Sequence, residues 1–133
     1  MFCDWHQCCL YPPWIMKVLI IEQEKTLQQS LCYFMQQQKN FEVALAHSQK
    51  EGFSLWQAAP FDMVVCAERL PDGNGLEMLK TLIQQKPEII SILMTACHDE
   101  LLREEALKMG VRGYLEKPFN LQQLEEATGV NRP

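Results

Sequence analysis

Five short apolar runs, each followed by a stretch with helical spacing, restrict what this chain can fold into. The runs are "KVLII" (17–21), "FEVALAH" (41–47), "FDMVVCA" (61–67), "EIISILM" (88–94) and "RGYLEK" (112–117). Between the first two, Leu27, Leu31, Phe34 and Met35 mark one helical face over 24–39, with Gln28, Gln29, Gln36 and Gln37 pointing outward. Ser48 caps a second helix that ends before Pro60. Leu76, Leu79 and Ile83 face inward from 75–85. Leu102, Ala106 and Met109 do so from 98–109, where Gly110 is the stop. Asn120 caps a last, short helix with Leu121 and Leu124 expected inward.

Alternation in "FEVALAH" suits an edge strand, and the unbroken apolar run "EIISILM" suits a central one. Strands alternating with helices imply a parallel sheet with right-handed crossovers. With 133 residues the chain has room for one such domain. The expected fold is α/β: three layers, flavodoxin-like, a (βα)5 unit with a five-stranded parallel sheet. Of its two common strand orders, 2-1-3-4-5 puts the switch point between strands 1 and 3. Ligands of open sheets gather beyond the carboxyl ends of the strands. Those ends carry Glu22-Gln23-Glu24, Ala67-Glu68-Arg69, Thr95 and Lys117, which are expected to converge on one crevice.

Charge and hydropathy remove some functions. The net charge is −5 and the Lys and Arg residues are scattered, which argues against nucleic-acid binding. No apolar run approaches the roughly 18–20 residues that span a bilayer. The first 15 residues lack the pattern of a signal peptide, so the cytoplasm is the expected location. Residues 1–15 are read as an unstructured extension, 16–128 as the domain and 129–133 as a tail. Cys3, His6, Cys8 and Cys9 match no strong zinc spacing, and no metal site is expected there. The six cysteines are expected to be reduced, with Cys66 a small core residue.

From Met16 to about Thr128 the chain resembles a response-regulator receiver domain, the CheY-like family of two-component signalling. The residues that carry the resemblance are "KVLIIEQ", "FDMVVCAERLPDGNGLEML", "ILMTA" and "GVRGYLEKPF", in the family's order and on the expected elements. The 2-1-3-4-5 strand order is itself the family's. The resemblance implies phosphoryl transfer to an aspartate at the end of strand 3. Two acidic residues after strand 1, that aspartate and a nearby backbone carbonyl would hold a divalent metal. By the same resemblance Thr95 and Lys117 match the phosphoryl-binding Thr and Lys, Tyr114 matches the switch aromatic, and Pro118 implies a cis Lys117–Pro118 bond. Pro71 and Gly75 match the loop after strand 3.

Three positions depart from the pattern. The acidic pair is Glu22 and Gln23, and the phosphoacceptor-equivalent position is Ala67, which has no carboxylate. Magnesium requires hard oxygen ligands, so its binding is expected to be lost or very weak, and no cofactor is expected. Glu68 is the obvious substitute nucleophile, but strand parity turns it away from the side Ala67 faces. Arg69, two residues on, is a possible crevice filler near Glu22. Lys117 needs a partner, and Glu22 is the expected one. Thr95 has a plainer reading, as a strand-end hydroxyl bonded to backbone. His47 and His98 read as surface histidines, and Cys97 as a loop thiol.

The resulting expectation is a pseudo-receiver: not an enzyme, and signalling by contact with a protein partner (histidine kinase, output domain or other regulator). The contact surface would lie around helix 4, strand 5 and Tyr114. The short last helix makes a monomer or weak dimer the expected state. One alternative is a phosphoacceptor receiver using a non-standard residue. The other is a flavodoxin-like nucleotide or flavin binder, which the glycine-free "EQEKTLQQ" after strand 1 disfavours.

Overall fold

The computed structural model describes residues 15–37 and 40–129. Strands β1 (Met16–Ile21), β2 (Phe41–Ala46), β3 (Met63–Ala67), β4 (Ile90–Thr95) and β5 (Gly113–Glu116) form one parallel sheet in the order β2-β1-β3-β4-β5. This is the expected doubly wound order. The helices between and after them are α1 (Lys25–Gln36), α2 (Gln49–Ala58), α3 (Gly75–Gln85), α4 (Glu100–Met109) and α5 (Leu121–Thr128). None of them is long and apolar enough to cross a membrane. Of the expected extension over 1–15 only Ile15 is described, and of the expected tail over 129–133 only Gly129; the Cys3–His6–Cys8–Cys9 group lies outside the described residues. Cys32, Cys66 and Cys97 are free thiols.

Burial follows the apolar runs. Val18–Ile21 in β1, Met63–Cys66 in β3 and Ile92–Met94 in β4 have no solvent exposure. These three strands are therefore covered on both faces, as continuous apolar strands must be. β2 is the edge strand and only partly buried. Leu31 and Met35 of α1 and Met78, Leu79 and Leu82 of α3 close the two sides.

The caps act where the sequence places them. Ser48 accepts from the Glu51 amide, and Asn120 and Gln123 form a reciprocal capping box on α5. Gly110 ends α4 at φ 103°, a left-handed conformation that favours glycine. The Lys117–Pro118 bond is cis.

Gln28 departs from the outward orientation expected of it. It is buried, and its side-chain amide donates to the carbonyls of Glu22 (3.2 Å) and Ala46 (2.9 Å). It ties the ends of β1 and β2 together, and two hydrogen bonds offset the cost of burying the amide. Apolar periodicity reads such a residue as polar surface because it cannot see the orphan carbonyls at strand ends.

The loop after β3 is more ordered than a simple turn. Arg69–Leu70 and Gly73–Asn74 pair as a two-residue antiparallel hairpin. A Cβ on Gly75 would sit 1.8 Å from the Ala67 carbonyl oxygen, so only glycine lets α3 start this close to β3. Asp72 reaches over to α2, accepting from the free first-turn amides of Gln49 (2.7 Å) and Lys50 (2.9 Å). Those two amide bonds hold its carboxyl below the usual range. A depressed folded pKa adds stability above the unfolded value and loses it as pH falls through the folded one. Asp72→Ala is therefore expected to lower the melting temperature at pH 7. The gap to the parent should narrow below about pH 3.9, which thermal melts across pH 2–7 would check.

Candidate functional site

The register of the sheet assembles the site. Ile21 pairs with Cys66, Ala67 with Met94, and Thr95 with Glu116. Carried one residue further, the ladder sets Glu22 beside Ala67 and Glu68 beside Thr95. The Glu68 amide donates to the Met94 carbonyl (2.7 Å) and the Lys117 amide to the Thr95 carbonyl (2.7 Å). Lateral neighbours in a parallel sheet share a face, and successive residues alternate faces. Glu22, Ala67 and Lys117 thus belong to one face of the carboxyl edge, and Glu68, Thr95 and Tyr114 to the other. An open crevice of about 800 Å3 straddles that edge, lined by Glu22 and Lys117 of the first group, Glu68 and Thr95 of the second, and by Gln23 and Cys97.

On the first face, Lys117 Nζ donates to Glu22 Oε1 at 2.8 Å. Glu22 is 2% exposed, and the Lys117 side chain 26%. The other Glu22 oxygen accepts from the Glu24 amide at 2.9 Å. Both carboxylate oxygens are therefore engaged. This is the pairing that the buried-charge argument requires of Lys117. Ala67 lies at the edge of the core, 1% exposed, and contributes only a methyl group. Burial, and then the charge of Glu22, push the neighbouring Cys66 thiol far above its ordinary value, so it remains a protonated core residue.

Arg69 lines the crevice from an exposed position. Its side chain makes no hydrogen bond or ion pair with a described residue. It thus borders the open crevice, where Glu22 takes Lys117 as its partner.

On the second face, Glu68 follows the parity argument and still lines the crevice. Glu68 does turn away from the side of Ala67, but it does not turn to solvent. Thr95 Oγ1 donates to Glu68 Oε1 at 2.6 Å and accepts from the Cys97 amide at 2.9 Å. Thr95 thus has both the backbone bond of its plainer reading and a carboxylate partner. The reason is lateral: Thr95 and Tyr114 lie on the face that Glu68 shares. Parity within one strand could not reveal this, because it says nothing about which neighbour comes alongside. The signal was in the ladder, not in the local sequence.

Tyr114 is half-buried on β5. Its hydroxyl is shut off from solvent and has no hydrogen-bond partner among the described residues. Burial first, then repulsion from Glu116 and the other acidic side chains nearby, raises its pKa above the ordinary value of 10. His98 is exposed, with Nδ1 3.3 Å from Glu116 Oε1; His47 Nδ1 lies 2.8 Å from Glu51 Oε1. Among the described residues, no group of three or more His, Cys, Asp or Glu is placed to hold a metal ion.

Sequence comparison matches residues 18–128 to the family described as "Response regulator receiver domain". The chain belongs to the response-regulator receiver family. It is a receiver domain of two-component signalling, and the fold above is that of the family. It is 31% identical over 110 residues to the response regulator protein PilR of Pseudomonas aeruginosa, covering 83% of this chain and 24% of PilR. It is 29% identical over 112 residues to the transcriptional regulatory protein CrdR of Helicobacter pylori, covering 82% of this chain and 51% of CrdR. The chain thus spans between about a quarter and a half of these relatives. The non-phosphorylated HemR receiver domain from Leptospira biflexa superposes with a TM-score of 0.78 at 27% identity, covering 89% of this chain and 98% of HemR's.

Two stability measurements follow from this receiver's crevice. Lys117→Met leaves Glu22 charged, buried and without its cation. Removing one partner of a buried pair costs ~3–5 kcal/mol, and the partial exposure of Lys117 favours the lower figure. Urea titration should show the Glu22→Gln, Lys117→Met double variant to be more stable than Lys117→Met alone. Tyr114→Phe removes an orphaned hydroxyl and keeps the ring. Leaving a buried polar group unpaired costs about 1–3 kcal/mol, so this variant should be at least as stable as the parent in the same titration.

Proposed function

We propose that this receiver is a pseudo-receiver: a binding module that signals through protein contacts and carries out no phosphoryl transfer of its own. The observation that carries this reading is the pairing of Glu22 with Lys117 beside the methyl group of Ala67. By family position, Ala67 stands where the acceptor aspartate would be, and Glu22 and Gln23 where the acidic pair would be. Phosphoryl transfer needs a nucleophile and a metal to offset the charge that develops. Ala67 offers no oxygen, Gln23 only a neutral amide, and Glu22 has both oxygens engaged. Magnesium prefers one or two free carboxylates in near-octahedral geometry. The residues present do not fit that ion.

In this reading the domain works in the cytoplasm without a cofactor, and its partner is a histidine kinase, an output domain or another regulator. The surface around α4, β5 and Tyr114 is the proposed contact. A partner would set the state of Thr95 and Tyr114 by binding one arrangement more tightly than the other.

One observation favours a second reading. Glu68 lies in the crevice, bonded to Thr95, where a carboxylate could act as an unusual acceptor. Incubation with a small phosphodonor and Mg2+, followed by intact mass measurement, separates the two. The pseudo-receiver is expected to gain no mass. A stoichiometric, base-labile gain of one phosphoryl group that maps to Glu68 would establish the second reading and sink the first. In the same assay series, Gln23→Asp, Ala67→Asp restores two carboxylates and should bind Mg2+ measurably by calorimetry where the parent does not.

A further inference from the structure

The bond from Thr95 to Glu68 has a consequence beyond the missing acceptor. Glu68 Oε1, Thr95 Oγ1 and the Cys97 amide form a continuous chain, at 2.6 and 2.9 Å, across the end of the sheet. A hydroxyl has one proton to donate. Because Thr95 gives it to Glu68, its lone pairs are left to face the Cys97 amide. The side chain of one strand end thereby orients the hydroxyl of the next, and that hydroxyl holds the first turn of the loop leading to α4. Thr95 is buried, whereas residues 96–99 are exposed. The loop contains no other side-chain hydrogen bond to its backbone amides before Asp99 caps α4 at the Leu101 amide (3.0 Å). At the other end of that cap, Leu101 is 74% exposed, so the setting of the loop sets the position of an apolar side chain on the outer surface.

We propose that Glu68 is an internal ligand for Thr95: its carboxylate holds the β4–α4 loop in one setting, with no external group needed. Glu68 is a positioning residue in this role, acting on the loop through Thr95. A hydrogen bond to an ionised acceptor is stronger than a neutral one, so the carboxylate is a better latch for a hydroxyl than solvent water. This deepens the pseudo-receiver reading, on which it rests, by saying what governs the conformation of the crevice when no phosphoryl group arrives. Tyr114 shares the face of Glu68 and Thr95, so the latch and the aromatic side chain occupy one side of the sheet edge.

Amide hydrogen exchange read by NMR on the whole chain, without any phosphodonor, tests the latch. In the parent the Cys97 amide should exchange slowly. In Glu68→Ala, and equally in Thr95→Val, it should exchange at least about tenfold faster, the effect expected when a charge-assisted bond in a local opening unit is lost. Glu68→Gln keeps an acceptor oxygen and should retain part of the protection. The amides of Leu19 and Val65 in the core should be unchanged in all three, which separates loop release from global unfolding. Unchanged exchange at Cys97 in Glu68→Ala overturns the proposal. So does faster exchange at Cys97 accompanied by equally faster exchange in the core. The mass assay with phosphodonor is scored separately, so a phosphorylated Glu68 would refute the pseudo-receiver reading while the exchange data judged the latch alone.

Discussion

The parallel register of the three central strands, buried along most of their length, is the constraint on which the rest of the molecule depends. β1, β3 and β4 have no room to slip, because a one-residue shift would exchange every side chain between faces. With both faces apolar, the shift would also break the packing of α1 and α3 against the sheet. Locked register makes the strand ends into a defined edge. Glu22, Ala67, Thr95 and Lys117 are far apart in the chain, and they meet because Ile21, Cys66, Met94 and Glu116 are held in line by the ladder.

At that edge the chemistry is divided between two faces. One carries an ion pair in which a buried carboxylate is satisfied by a lysine and a backbone amide. The other carries a hydroxyl satisfied by a carboxylate and a backbone amide. Each arrangement answers the same requirement, that a polar group taken out of water must find partners. In each, an internal group supplies the partner. The Tyr114 hydroxyl is the exception, buried without one, beside several negative groups that disfavour its ionisation.

The loop after β3 contributes more than a connection. Asp72 caps α2, and Gly75 allows α3 to begin against the Ala67 carbonyl. The stretch around the site is thus tied to α2 and α3, which pack together on one side of the sheet. The β4–α4 side is held chiefly through Thr95. That asymmetry places any conformational freedom of the crevice in the loop that carries Cys97 and His98.

The order of strands and helices, the central place of β4, the caps at Ser48 and Asn120 and the stop at Gly110 were legible in the chain. Each rests on local rules: apolar period, capping chemistry and the φ that glycine tolerates. The expected partnership of Glu22 with Lys117 was legible too, since the fold class put both at one edge and a buried lysine needs a carboxylate. Gln28 and Glu68 were not. Gln28 looks like surface until the carbonyls of Glu22 and Ala46 are brought above it, and Glu68 looks irrelevant until Thr95 is set beside it. Both roles depend on which residue of a distant strand lies alongside. The sequence by itself determined the elements, their order and the chemical inventory of the edge. Only the tertiary structure decided which of those groups touch, because lateral register is a property of the packed sheet and not of any one strand.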